Sequence, residues 1–291
     1  MRTIDYKVPD AYSGKKLLVF LRSEAGLSLK LVRSLKRVEN GLLINGVHAR
    51  TVDELKTGDT VTVNIPDDRT TSVPCGLMPE VIYEDSDLLI VNKPALLPIH
   101  ESHNHQGDTL ANSVAGYLQK KGLSCSFRAV GRLDKGTSGL VVCALNPHAA
   151  SRLSGQIKKR YLAIACGHFE KSGTIDAPIY RPDPMKTVRT VDERGDRAVT
   201  HWQAVKSDGK LTLLSITLET GRTHQIRVHF ASLGAPLVGD TMYGKPDGRI
   251  THQALHCCEV ELTHPVTGKK ILCTAPMPED MQSIADSIQS L

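Results

Sequence analysis

The sequence predicts an α+β chain: a small α/β module over residues 1–66, a linker over 67–77, and a larger domain over 78–291 built on a mainly antiparallel, mixed sheet. Three observations carry this. An Asn45-Gly46 pair between short apolar runs is a strong hairpin signal. The stretch Pro66-Asp67-Asp68-Arg69-Thr70-Thr71-Ser72-Val73-Pro74 is polar, bracketed by prolines and without apolar periodicity, which marks a boundary. Beyond it, strand-like runs and helices follow one another without the regular βαβ alternation of a doubly wound sheet.

Element by element, Ser28 caps a helix running to about Val38. At 100° per residue Lys30, Arg33 and Arg37 share one face, and Leu31, Val32, Leu35 and Val38 share the other, toward a core. Leu42-Leu43-Ile44 enters the Asn45-Gly46 turn, and Thr60 to Ile65 alternates as a strand. In the larger piece, Val81-Ile82-Tyr83 and Leu88 to Val91 flank a polar turn. Leu140 to Leu145 is a continuous apolar run and reads as a buried strand. Asn146-Pro147 opens a helix with Ala150, Leu153 and Ile157 on one face. Tyr161 to Cys166, Leu211 to Leu218 and Ala254 to Leu262 read as strands. A helix after Thr223 buries Ile226, Phe230 and Leu233 before Gly234 and Pro236 stop it.

Composition narrows the function classes. The 291 residues are 40% hydrophobic and 23% charged, ordinary for a globular protein. No apolar run approaches the roughly 20 residues of a membrane span, and the first residues carry no apolar signal core, so the cytoplasm is the expected compartment. Seven scattered cysteines offer neither a disulfide framework nor a C-x-x-C metal knuckle. Between Tyr12 and Arg50 eight basic residues face only Glu24 and Glu39, a local excess that favours a polyanionic partner or simply solvates a helix face. Phosphate-binding and dinucleotide glycine loops and the G-x-S-x-G elbow are absent. His100, His103 and His105 lack the further ligands of a convincing metal set and read better as a polar loop, so no metal is expected. With 4% aromatics, a stacking platform for long single strands is not expected either. Nothing argues for assembly, and a monomer is the default.

Three segments hold the chemistry: Gly131 to Leu140, Lys159-Arg160-Tyr161, and Gly221 to Arg227. In the first, Asp134 sits among glycines with Arg132 and Lys135 beside it, immediately before the buried strand. Glycines permit close backbone approach, and the cations favour the charge a nucleophile carries. An Asp in such a loop also reads as a plain turn former, and periodicity does not choose between the two.

The string Arg132-Leu133-Asp134-x-x-Thr137-Ser138-Gly139-Leu140 resembles the catalytic motif of the RluA/RluD-type family of pseudouridine synthases. The rest follows in the family's order: Asn92-Lys93-Pro94, Tyr161 in K-x-Y, Thr220 to His229, Leu237-Val238-Gly239-Asp240 with Tyr243-Gly244, Leu255-His256 and His264-Pro265. The likeness spans about residues 78–280 and implies a catalytic domain of pseudouridine synthase type. Residues 12–65 resemble the small RNA-binding domain named for ribosomal small-subunit protein four (the S-four type), an addition familiar in that family.

The resemblance implies an isomerase converting uridine to pseudouridine in structured RNA, ribosomal large-subunit RNA before tRNA, with no cofactor. Asp134 matches the catalytic aspartate, Tyr161 the tyrosine against the target uracil, and Arg227 the basic partner of the aspartate. Arg132, Leu133, Thr137, His224, Gln225 and Ile226 are carried over as residues around the target nucleotide; Lys30, Arg33 and Arg37 as RNA contacts of the module. His224 and Gln225 also suit a role in shaping the helix start. Gly131 stands where the family often has His, with an effect expected on RNA contact or loop shape. The rivals are a non-catalytic RNA-binding or ribosome-assembly factor on the same fold, which need not keep Asp134, Tyr161 and Arg227 together, and a nucleotide glycosidase, which would usually need a second catalytic carboxylate.

Overall fold

Asn45 and Gly46 adopt φ values of 51° and 81°, the left-handed pair that lets a two-residue turn match the twist of its strands. The turn joins β2 (Leu42–Ile44) to β3 (Val47–His48). Together with β1 (Arg2–Lys7) and β4 (Thr60–Ile65) these form an antiparallel sheet in the order β1-β4-β2-β3. The computed structural model describes residues 1–67, 72–123, 125–169 and 171–288.

Two helices cover this sheet, α1 (Leu17–Ser23) and α2 (Leu29–Leu35). The Ser28 hydroxyl accepts the Leu31 N–H at 3.2 Å, the expected cap. The helix ends three residues before Val38. Arg37 and Val38 bond back only to Ser34 and Leu35, a tightened turn, and the left-handed Asn40 then redirects the chain. Phe20, Leu21, Leu31, Val32, Leu35, Val61 and Val63 form a core of their own, while Lys30, Arg33 and Arg37 are exposed. The strand β1 was not expected: with only Ile4 and Tyr6 apolar, its alternation is too short to stand out. Part of the 67–77 linker, residues 68–71, lies outside the described residues; 72–79 carry no helix or strand.

The larger sheet has ten strands among the described residues. Its main path runs β10 (Ser172–Asp176), β13 (Val199–Ser207), β14 (Leu211–Leu218), β9 (Lys158–Cys166), β15 (Leu255–Thr263), β8 (Ser138–Ala144), β6 (Leu88–Lys93), β5 (Glu80–Glu84). The strand β7 (Arg128–Val130) pairs with β8 and β16 (Lys270–Thr274) with β15. Every pairing is antiparallel except β15 with β8. There Cys257 lies opposite Gly139, where a Cβ would come 2.3 Å from the Cys257 carbonyl oxygen, so only glycine fits. A small hairpin, β11 (Ile179–Tyr180) with β12 (Thr190–Val191), stands apart. The remaining helices are α3 (Leu110–Lys120), α4 (Pro147–Leu153), α5 (Gln225–Ser232) and α6 (Glu279–Ser287). None is long and apolar enough to cross a membrane.

Two expectations at helix ends are corrected. Helix α4 begins as expected, with the Asn146 side chain accepting the Ala149 N–H at 2.9 Å. It stops at Leu153, because Gly155 turns left-handed, and Ile157 lies beyond it. Leu233 is 54% exposed rather than buried, since α5 ends at Ser232 and its apolar stripe with it.

The two sheets are joined by partly buried polar contacts. Arg2 donates to both oxygens of Asp87, at 2.9 and 2.7 Å, and Asn146 donates to the same carboxylate at 2.7 Å. Tyr6 and His148, the latter fully buried, meet at 3.3 Å.

Candidate active site

The loop between β7 and β8 is shaped by its own chemistry. Gly131 takes φ +78°, buried Leu133 anchors the loop in the core, and the Thr137 N–H closes a turn on the Asp134 carbonyl at 3.0 Å. The Thr137 hydroxyl, itself buried, accepts from Gln253 at 3.0 Å. A third tether is Lys93, fully buried at the end of β6. Its ammonium donates to the carbonyls of Pro94, Leu97 and Lys135 at 2.9, 2.9 and 3.1 Å. Burial pulls Lys93 down to about 7, with the charge of Asp134 pulling back; the three acceptors also pull back, because only the full ammonium supplies three N–H groups. The Asp134 side chain is thus presented from a fixed loop and left 25% exposed.

Helix α5 supplies its partner. His224 precedes the helix in a left-handed conformation, φ 59°. Gln225 holds the preceding loop shut: its carbonyl accepts from Thr220 and the Arg222 N–H, both at 2.9 Å, and its amide donates to Val199 and Thr200. One turn on, Arg227 reaches Asp134 with Nη1 at 3.2 Å. Its other edge is clasped by Asp240, which accepts from Nε at 2.7 Å and from Nη2 at 2.9 Å. Burial opposes the guanidinium's charge, but the two carboxylates outweigh it and raise Arg227 above its ordinary value. Tyr243 lies under the guanidinium, 5.1 Å from ring centre, and its hydroxyl meets His224 Nδ1 at 2.8 Å. His224 Nε2 lies 3.9 Å from Asp134. Burial lowers His224, against the pull of Asp134.

Tyr161 projects from β9 into the same cleft as Asp134, together with Arg132, Lys159 and Arg222, around a cavity of about 570 Å³. Burial, then Cys257 and Asp134, raise its phenol well above the ordinary value, so Tyr161 stays neutral.

The structure therefore brings Asp134, Tyr161, Arg227 and His224 together and leaves Arg132 exposed at the rim. Leu133, Thr137, Gln225 and Ile226 are buried, at 7%, 2%, 3% and 4% exposure, and build the floor of the site from within. Lys30, Arg33 and Arg37 lie on the N-terminal module, outside the cleft. His100 packs edge-on to Phe127 at 5.3 Å, while His105 sits between Asp108 at 2.7 Å and Lys135 at 3.1 Å. Three residues of evident consequence had no role in the sequence reading: Lys93, Lys159 and Asp240. The signal was a charged residue inside an otherwise apolar or glycine-rich motif, as in Asn92-Lys93-Pro94 and Val238-Gly239-Asp240.

A family model described as RNA pseudouridylate synthase matches residues 87–232. The uncharacterized RNA pseudouridine synthase YhcT of Bacillus subtilis is 41% identical over 243 residues, 79% of this chain and 79% of that protein. The ribosomal large subunit pseudouridine synthase D of Xanthomonas campestris pv. campestris is 35% identical over 97% of this chain and 91% of its own length. Among solved structures, human RNA pseudouridylate synthase domain containing 1 superposes with a TM-score of 0.56 at 26% identity, covering 68% of this chain and 83% of that one. The sheet, the cleft and these relatives agree: the chain belongs to the RluA/RluD-type family of RNA pseudouridine synthases, which are isomerases.

Proposed function

We propose that the chain isomerises specific uridines of ribosomal large-subunit RNA, with Asp134 as the nucleophile and no cofactor. The observation that carries this is the doubly held Arg227. Pinned by Asp240 on one edge, it fixes the Asp134 carboxylate at 3.2 Å in the mouth of the cleft. The ribosomal substrate is supported by the name of a relative, a ribosomal large subunit pseudouridine synthase D, that this chain matches nearly end to end.

The reaction breaks the C1′–N1 bond, turns the base and joins C5 to C1′, with no change of oxidation state. A carboxylate is a competent nucleophile for such a step. The reacting atoms are inaccessible in a stacked helix, so the uridine must be extruded into the cleft. Tyr161 offers that base a flat wall, and its raised phenol suits a neutral hydrogen-bond donor rather than a base. Residues 1–66 serve as an S-four-type RNA-binding domain, with the exposed cations Lys30, Arg33 and Arg37 meeting phosphates.

The test is to incubate wild type and Asp134→Asn with RNA from the protein's own cells lacking the gene, and to map pseudouridine by carbodiimide-dependent primer extension. Stops are expected with wild type alone, while both proteins bind the RNA. Equal activity in Asp134→Asn sinks the nucleophile. Binding without stops from either protein favours an RNA-binding or assembly factor instead.

A further inference from the structure

Lys159 stands two residues before Tyr161 on β9, so both side chains leave the same face of the strand, about 7 Å apart at the backbone. Both line the cavity that holds Asp134. The neighbouring cations point the other way and are paired, Lys158 with Glu261 at 3.5 Å and Arg160 with Glu259 at 2.7 Å. Lys159 is half-buried and has no hydrogen-bond or ion-pair partner among the described residues. Gly131 lies beside it: a Cβ there would come 3.1 Å from the Lys159 ammonium, a close approach. The other cations of the cleft differ. Arg227 is committed to Asp134 and Asp240, and Arg222 to Asp196 at 3.2 Å and the Arg197 carbonyl at 3.1 Å. Arg132 is exposed at the rim, where a backbone phosphate would pass.

A cation partly withdrawn from water without a partner is costly, and its natural complement is negative charge brought by the occupant of the cavity. We infer that Lys159 donates a hydrogen bond to a carbonyl oxygen of the target uracil and stabilises the negative charge of that base as it separates from the ribose. This rests on the isomerase reading above. As an Asp134 oxygen bonds to C1′, the C1′–N1 bond breaks and its electron pair leaves on the base, spread over N1, O2 and O4. The base turns, C5 attacks C1′, and the ester's electron pair returns to Asp134. C5 then loses its proton to solvent and N1 takes one up. Between the two bond changes the base is an anion lying on neutral Tyr161, and Lys159, unpaired among the described residues and less exposed than Arg132, is within reach of its edge. Burial holds the ammonium below its ordinary value, and a weakly hydrated cation interacts more strongly with a developing anion than one in bulk water.

The test compares wild type, Lys159→Met and Lys159→Arg in single-turnover reactions. The substrate is the RNA mapped above, carrying either uridine or 5-fluorouridine at the target; loss of the N-linked nucleoside is read by nuclease digestion and mass spectrometry. Fluorine stabilises the base anion and so stands in for part of what the lysine does. Lys159→Met is expected to slow uridine about a hundredfold, to slow 5-fluorouridine at least tenfold less, and to leave RNA affinity within threefold. Lys159→Arg is expected to keep more of the rate than Lys159→Met. An equal loss for both bases, or a loss confined to affinity, overturns the inference and makes Lys159 a phosphate contact. An unchanged rate also overturns it. If Lys159→Met melts far below wild type, the ratio between the two bases in Lys159→Arg decides, because instability slows both bases alike. If wild type itself converts no uridine, the isomerase reading has failed first.

Discussion

Asp240 accepts four hydrogen bonds within the fold: two from Arg227, at 2.7 and 2.9 Å, and two from the backbone N–H groups of Met242 and Tyr243, at 3.0 and 3.2 Å. Asp240→Ala removes them all and leaves a guanidinium only 8% exposed with a single carboxylate at 3.2 Å. Stranding one partner of a buried pair costs about 3–5 kcal/mol. At roughly 2–4 °C per kcal/mol for a domain of 150–250 residues, Tm should fall by roughly 6–20 °C. Activity should suffer separately, because Arg227 freed from its clasp no longer fixes Asp134, and about 1 Å of misplacement costs on the order of a hundredfold. Asp240→Asn keeps the shape and one acceptor for Arg227, and should fall between the two. Thermal melts followed by circular dichroism read the first quantity. Release of tritium from C5-labelled uridine in RNA, measured below the variant's melting range, reads the second. An Asp240→Ala protein with wild-type Tm and wild-type rate would refute the reasoning, since Arg227 would then need no second carboxylate.

Two further outcomes follow from buried titratable groups. Burial, reinforced by Arg152, holds His148 down to about 4, against roughly 6.5 when unfolded. The unfolded chain therefore takes up this proton first: its contribution to stability is intact above about pH 6.5 and is lost as pH falls toward 4, by roughly 3 kcal/mol. His148→Leu should flatten that part of the Tm–pH curve, and an unchanged slope would assign the acid sensitivity to other groups. Lys93→Met leaves three carbonyls without donors, at about 1–3 kcal/mol each, offset in part because no charge is then buried. A lower urea midpoint and a slower reaction at unchanged RNA affinity are expected; a variant more stable than wild type would contradict the tether.

Much of the fold was legible where one period dominated. The turn at Asn45-Gly46, the strands Thr60–Ile65 and Leu211–Leu218 and the cap at Asn146 lie where the sequence puts them, because local chemistry and burial agree there. What escaped was set by distant partners. The strand β1 exists because β4 offers it an edge, and β16 because β15 does. Asp134, Tyr161 and Arg227 were singled out by their motifs, but nothing local says that residues 134, 161 and 227 share a cleft. That follows from the order of strands in the sheet. Asp240 holds Arg227, 13 residues earlier in the chain, Lys93 reaches the Lys135 carbonyl besides two near neighbours, and Lys159 lines a cavity closed by other elements; periodicity registers none of these.

The order of strands also sets a timetable. Strand β15 is threaded between β8, which follows the Asp134 loop, and β9, which carries Tyr161. Until residues 255–263 have been synthesised and have left the ribosome, the two halves of the cleft have no shared neighbour to hold them in register, and Arg227 waits with them. The nascent chain thus carries its complete N-terminal module, with the basic face exposed, long before it carries an assembled catalytic centre. Assembly of the cleft is thus tied to the late strand, whose arrival closes the sheet between β8 and β9.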